Sequence, residues 1–131
     1  METQFKKPIS IAELKERYAK GERNFRNSDF DSGIFENLNL DGIDFEHSWF
    51  HSSIFRNCSL KNGNLKNCNL KCCEFDNSNF ENVSFYNSLL CGSDFQNCEL
   101  KGTDFTKAGF YGAELNTVDY LKHLSDKNNV A

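Results

Sequence analysis

Phe or Leu occupies every fifth position along most of this chain. The run starts at Phe25, ends at Leu115 and contains nineteen residues without an interruption. An α-helix advances about 100° per residue, so side chains five apart would spread around the whole helix instead of forming one apolar stripe. A flat strand fails too, because an odd period sends successive Phe or Leu residues to opposite faces. The pattern therefore predicts a chain that turns within each five-residue unit and directs every Phe or Leu to a common axis.

Two other positions of the unit support this interpretation. The residue two before each Phe or Leu is mostly small, with Leu38 and Ile43 as the large ones, which indicates a second inward position. The residue two after is mostly Asn or Gly, and these types tolerate positive φ and favour turns. Each unit is thus predicted to be a short extended edge followed by a corner, and the edges to coil into a solenoid with parallel ladders. One corner is expected to carry a ladder of hydrogen-bonded amides from Asn37, Asn57, Asn77 and Asn97.

Several units are close copies of one another. Residues 68–72, 78–82 and 103–107 read CNLKC, SNFEN and TDFTK. This pattern resembles that of the pentapeptide-repeat family, over roughly residues 23 to 122. The resemblance implies an all-β solenoid, namely a right-handed quadrilateral β-helix with four units per coil and about five coils, preceded by a short N-terminal capping α-helix.

The ends of such a solenoid expose unpaired edges and need covers. Ser10 followed by Glu13 is the signature of a capping box, and Gly21 is a suitable stop for a helix over residues 10 to 20. The apolar stripe of this helix would comprise Ile11, Leu14 and Tyr18. We expect an N-terminal segment and capping helix at 1–24, the repeat β-helix at 25–120, and a C-terminal cap and tail at 121–131.

Composition bears on the cellular location of the protein and on the state of its cysteines. The chain has 131 residues, a formal net charge of −4 and six cysteines, and it lacks an apolar stretch long enough for a membrane span or a secretory signal. We therefore expect a cytoplasmic protein with no membrane association, a monomer rather than a dimer. Cys58, Cys68, Cys73 and Cys98 fall at the small inward position, where Cys packs as a small hydrophobe. Cys72 and Cys91 lie off that position, and we expect both to be free thiols in the cell and to form at most one disulfide, with each other, after oxidation.

Candidate chemistry is sparse. His47 and His51 are four apart, but a corner separates them and no third ligand is fixed nearby, so neither a metal nor another cofactor is expected. No glycine-rich phosphate loop or nucleophile motif interrupts the repeat. We expect no catalytic activity, and the sequence favours a non-catalytic solenoid that acts as a rigid protein-binding module.

The resemblance also raises an alternative, because some larger members of the family resemble B-DNA in shape and charge and bind topoisomerases in its place. The alternative function is therefore a DNA-mimicking inhibitor of a type II topoisomerase. Such mimicry needs a continuous acidic surface, whereas the column of Glu36, Arg56 and Asp76 alternates in sign. Direct nucleic-acid binding is not expected either, because the chain lacks a basic face.

Three apolar residues break the polar surface. Ile34, Trp49 and Ile54 stand one residue before a Phe, at a position that is elsewhere mostly Asn, Asp, Glu or Ser. Trp and aliphatic residues on a polar surface mark contact sites, so these three form a candidate surface for a protein partner that the sequence does not identify. The other interpretation is that the N-terminal segment, especially Phe5 and Ile9, folds over them. The sequence leaves both open.

Overall fold

The computed structural model describes residues 7–110 and 113–114. Leu115, the predicted C-terminal cap and Phe5 lie outside these residues. The described elements are one helix, α1 (Ile11–Ala19), and eight short strands: β1 (Lys7–Pro8), β2 (Ser28–Asp29), β3 (Ile34–Glu36), β4 (Ile54–Arg56), β5 (Glu74–Asp76), β6 (Asp94–Gln96), β7 (Gly109–Phe110) and β8 (Ala113–Glu114).

The strands establish the coil period. β3, β4, β5 and β6 form one parallel sheet in which each residue pairs with the residue twenty positions further on, as Phe35 does with Phe55. Isolated bridges on the other faces have the same offset, for example Asn24 with Asp44. A residue with positive φ recurs every fifth position from Asn27 to Lys107. Four corners per twenty-residue coil follow, and the predicted all-β solenoid with a short N-terminal helix is confirmed.

The interior is a ladder of apolar side chains. Every Phe or Leu of the run from 25 to 110 is buried except Leu100, which is partly buried in the last described coil of its face. Aromatic rings stack between coils, with centroids 4.3 Å apart for Phe35 and Phe55 and 4.5 Å apart for Phe75 and Phe95. Burial of each such side chain contributes roughly 1.5–3 kcal/mol, so the inward ladder is the main source of stability.

Every described corner has a positive φ, including corners whose residue type does not favour it. Asn and Gly adopt positive φ as predicted, but so do corner residues of other types, namely Ser32, His47, Ser52, Cys72 and Lys107. The coils above and below fix the backbone path, so these residues accept a conformation that L side chains disfavour by about 1–2 kcal/mol. Propensity sets most corners, and the neighbouring coils impose the rest.

The prediction of hydrogen-bonded amides at the corner of Asn37, Asn57, Asn77 and Asn97 is wrong. Asn37, Asn57, Asn77 and Asn97 share one corner, but among the described residues no hydrogen bond joins their amides. Amide pairs form at other corners, between Asn62 and Asn82 at 3.3 Å and between Asn67 and Asn87 at 2.7 Å. The period of twenty was right, but side-chain rotamers, which the repeat does not encode, decide which corner closes a pair.

The small inward position also carries hydrogen bonds. The Ser53 hydroxyl accepts from the Gly33 N–H at 3.0 Å and donates to the Phe30 carbonyl at 2.9 Å in the preceding coil. The Cys58 thiol replaces the hydroxyl and donates to the Phe35 carbonyl at 3.3 Å. The prediction that these cysteines serve packing alone was therefore incomplete, because the thiol also satisfies a buried carbonyl.

At the N-terminal end, α1 covers the first coil. Ser10 caps it by accepting from the Glu13 N–H at 3.0 Å, and Leu14 is fully buried against the core. Gly21 has φ +100°, and its N–H donates to the Tyr18 carbonyl at 2.9 Å, as in a glycine-terminated helix. The Tyr18 hydroxyl donates to the Asp41 carbonyl at 2.7 Å and attaches the helix to the coil.

The sequence did not predict β1. Lys7 and Pro8 pair in parallel with Ser28 and Asp29, and the Lys7 N–H donates to the Asn27 carbonyl at 2.8 Å. This strand lengthens one face of the first coil towards the N-terminus. At the other end, β7 keeps a parallel bridge to the preceding coil through Gly109 and Leu89, and β8 pairs with it in the antiparallel direction.

Candidate interaction surface

Ile34 and Ile54 form one column on the face of the β3–β6 sheet. They pair in register on adjacent strands, and both point outward because Phe35 and Phe55 next to them point to the axis. Ile34 is 56% exposed, and Ile54 below it is partly buried. The structure thus brings these two candidate residues together, with the more exposed one at the end of the column.

Trp49 lies on the preceding face, where it pairs with Asp29 above and Asn69 below. Its side chain is 37% exposed, and the indole N–H donates to Asp31 Oδ1 at 2.9 Å. The indole stacks on the His51 ring with centroids 6.0 Å apart. These contacts fix the ring at the surface, so Trp49 offers a rigid apolar area at little cost in conformational entropy.

The described part of the N-terminal segment does not follow the covering interpretation. Ile9 packs against the hydrophobic core, and β1 lies beside β2 rather than beside β3. Ile34 keeps more than half of its surface exposed. Phe5, the other residue considered as a cover, lies outside the described residues.

Two further apolar residues, Leu89 and Tyr86, are exposed and were not predicted from the sequence. Leu89 is 41% exposed in the column of Trp49, two coils further on, and Tyr86 is 36% exposed. Leu89 stands one residue before a Leu, the same position that singled out the three candidates, so the signal for it was present in the sequence. Tyr86 follows a Phe, at an outward position with no such rule.

Charges of both signs interleave on the surface. Arg26 lies 2.7 Å from Asp44 and 3.6 Å from Glu46, both in the next coil. Arg56 lies 3.0 Å from Glu36 in the preceding coil. These exposed pairs contribute at most about 1 kcal/mol each, but they neutralise adjacent acidic residues along the solenoid axis.

The buried thiols are poor nucleophiles. Burial raises the pKa of Cys68 and of Cys73 to about 12 and that of Cys98 to about 11. They stay protonated at neutral pH, as their hydrogen bonds to carbonyls require. Across residues 7–110 and 113–114 no group of three His, Cys, Asp or Glu side chains is arranged to hold a metal ion. In the same ranges no helix has the length and apolar character that crossing a bilayer demands.

Comparison with known proteins identifies similar chains. Residues 48–123 match the family profile described as the pentapeptide repeat region. HetL, a pentapeptide repeat protein involved in heterocyst differentiation regulation from the cyanobacterium Nostoc, superimposes with a TM-score of 0.65 at 20% identity, covering 82% of this chain and 48% of HetL. This chain therefore spans about half the length of HetL, and the likeness concerns the fold alone.

Two further solved structures are similar. A second pentapeptide repeat protein from Nostoc gives a TM-score of 0.47 at 18% identity, with 92% of this chain and 95% of that protein covered. A pentapeptide repeat protein from the Arabidopsis thaliana thylakoid lumen gives 0.43 at 17% identity, with 79% and 77% covered. Among curated protein sequences, none matches this chain.

Proposed function

This chain belongs to the pentapeptide-repeat family, and we propose that it is a non-catalytic solenoid that acts as a rigid protein-binding module. The observation that carries the proposal is the apolar surface of the exposed Ile34 and Trp49 and the partly buried Ile54, at one end of a largely polar solenoid. Large apolar side chains on such a surface favour contact with another protein over contact with water.

Rigidity supports the same proposal. Ile34 and Ile54 are held by the register of β3 and β4, and Trp49 is held by Asp31 and His51. A surface that is already ordered loses little conformational entropy when a partner binds. We also propose that the protein is a monomer. We place it in the cytoplasm, since its buried cysteines serve packing and hydrogen bonding rather than disulfide formation.

Affinity capture from the host lysate tests the proposal. We expect wild-type protein to retain a specific protein that a Trp49→Ala, Ile34→Ser double variant loses, because hot-spot truncation typically weakens binding by about 10-fold or more. The matched control is a Tyr86→Ala, Leu89→Ser double variant, which removes two similarly exposed apolar side chains elsewhere and should retain the partner. Equal retention by both double variants would contradict the assigned surface.

Inhibition of a type II topoisomerase by DNA mimicry is the less well supported function. A phosphate-like stripe needs adjacent unpaired acidic groups, but Arg26 and Arg56 pair with acidic neighbours in adjoining coils. A DNA supercoiling assay with titrated protein separates the two functions. Inhibition by wild type that persists in the Trp49→Ala, Ile34→Ser variant would favour mimicry over the binding module.

A further inference from the structure

Within the described part of the chain, β3 is the N-terminal edge strand of its sheet. The order of the sheet is β3-β4-β5-β6, and among the described residues β3 pairs with β4 alone. An edge strand of this kind presents unpaired backbone donors and acceptors, which is a template for another strand. Ile34 and Glu36, the two outward residues of β3, are both exposed.

The hydrogen-bond pattern identifies which groups are free. The Ile54 N–H donates to the Gly33 carbonyl at 2.9 Å, and the Asn37 N–H donates to the Arg56 carbonyl at 2.9 Å. In a parallel ladder, alternate residues of a strand bond to one neighbour, so β3 bonds to β4 through Gly33, Phe35 and Asn37. The N–H and C=O groups of Ile34 and Glu36 therefore point away from β4, towards the open side.

The adjoining face gives a precedent in the same molecule. There β1 adds to the N-terminal edge of β2 as a parallel strand, with Lys7 opposite Ser28 and Pro8 opposite Asp29. The first coil can therefore accept an extended segment at this end. The chain leaves that edge at Ile9 and Ser10 to form α1, and β3 is left without an equivalent strand.

The side chains of the β3–β4 pair indicate what such a segment must contain. In a parallel ladder the side chains of residues in register stack in columns, here Ile34 on Ile54 and Glu36 on Arg56. A new strand would continue the first column with a branched apolar residue over Ile34. It would continue the second column with a Lys or Arg over Glu36. Charge already alternates along this column from Arg56 to Glu36, so a basic residue would be the next in the series.

We propose that β3 is a docking edge for an extended segment of a partner protein, which adds to it as a parallel strand with the pattern branched apolar residue, small residue, Lys or Arg. The middle residue is small because it would lie over Phe35, which is already fully buried. This inference rests on the proposed function and specifies its binding mode. A second copy of this chain is a poorer occupant. Antiparallel pairing of two β3 edges about Phe35 would put Ile34 opposite Glu36 and leave both columns unmatched.

A peptide titration followed by NMR tests the inference. The probe is the peptide acetyl-Thr-Thr-Ile-Ala-Lys-Thr-Thr-amide, added to the full chain up to about 5 mM, a range that detects millimolar affinity. Strand addition should slow hydrogen exchange of the Ile34 and Glu36 amides by about 10-fold at saturation, because both become hydrogen-bonded. Unchanged exchange at both amides would overturn the inference.

Two variants make the test specific. Ile34→Pro removes an N–H that β4 does not use and follows a glycine, so it should keep the fold and abolish binding, whereas Ile34→Val should bind as wild type does. Glu36→Arg should weaken binding of the Lys peptide about two- to fivefold and favour a peptide with Glu in place of that Lys. Equal binding of both peptides by wild type and Glu36→Arg would overturn the assigned register.

The result is separable from that of lysate capture. Chemical-shift changes around Trp49 with no protection of the β3 amides would overturn strand addition while leaving a binding module in place. Capture that fails together with clear peptide protection would contradict the proposed function in that host and support the docking edge.

Discussion

β5 in the middle of the solenoid and β3 at its N-terminal end have the same length and the same pattern of one buried Phe between two outward residues, yet their surroundings differ. β5 lies between β4 and β6, so both of its edges are paired. Among residues 7–110 and 113–114, β3 has a partner strand on one side only, and its Ile34 is the most exposed large apolar residue described. A repeating unit satisfies its backbone only where a copy lies on each side.

The end of the solenoid is completed by sequence that does not repeat. α1 buries Leu14 over the first coil, and β1 pairs with one of its edges. Both elements cover part of the end and leave β3 open. The middle of the molecule is therefore specified by repetition, whereas the end is specified residue by residue, so the end is where a surface unlike the repeat can form.

The largest expected difference between the two regions is in stability. Phe75→Ala removes a buried ring that stacks between Phe55 and Phe95, and we expect a loss of roughly 3–5 kcal/mol in the free energy of unfolding. Ile34→Ala, at the exposed end, should change it by about 0.5 kcal/mol or less. Denaturant titration measures both, with Lys66→Ala as a surface control in a middle coil. Similar losses for Phe75→Ala and Ile34→Ala would remove the contrast between middle and end.

The buried thiols of the inner coils predict a loss of stability at alkaline pH. Burial raises the pKa of Cys68 and Cys73 from 9.0 to about 12 in the folded protein, so the unfolded chain releases these protons at lower pH. Stability is then unaffected below about pH 9 and falls as pH rises from there towards 12, by up to ~1.4 kcal/mol per pH unit for each thiol.

Denaturant titrations between pH 8 and pH 10.5 would measure this slope. Cys68→Ser should remove the share of the slope that Cys68 contributes and leave that of Cys73. Its cost near neutral pH should be small, because Ser48 and Ser88 occupy the same inward position in the coils on either side. Stability of the wild type that is constant across this range would contradict the assigned burial of the two thiols.

The sequence predicts the structure of the middle of the molecule much more completely than that of its N-terminal end. Periodicity alone predicts the coil and its buried Phe and Leu residues, because a strict repeat of five requires all of these side chains to point to one common axis. It did not predict β1, since Lys7 and Pro8 lie outside the five-residue repeat and their pairing depends on a neighbour in space. The candidate surface was found at Ile34, Trp49 and Ile54 by the break in polarity, but its contacts with Asp31 and His51 required coordinates.

The helix cap offers a smaller test, confined to the N-terminal end. Ser10→Ala removes the acceptor of the Glu13 N–H, and we expect a loss of about 1 kcal/mol. Hydrogen exchange should show where this loss is located, with faster exchange in α1 and unchanged exchange in the β4–β6 strands. Ser10→Asp, which keeps an acceptor, is the matched control and should restore wild-type exchange. Faster exchange in the middle coils would mean that end and middle unfold as one unit.

The smallest effect is expected for the ion pair that joins the end to the first middle coil. Arg56 and Glu36 lie 3.0 Å apart on a surface where both side chains are well exposed, so water and salt screen the attraction. A double-mutant cycle with Glu36→Gln and Arg56→Gln should give a coupling of about 0.2–1 kcal/mol at low salt, falling towards zero at about 1 M salt. Arg26 and Asp44, at 2.7 Å on another face, provide a second pair for comparison. A coupling that is large and insensitive to salt would mean that Glu36 is shielded from solvent, and the open edge on which strand addition depends would then have to be reassigned.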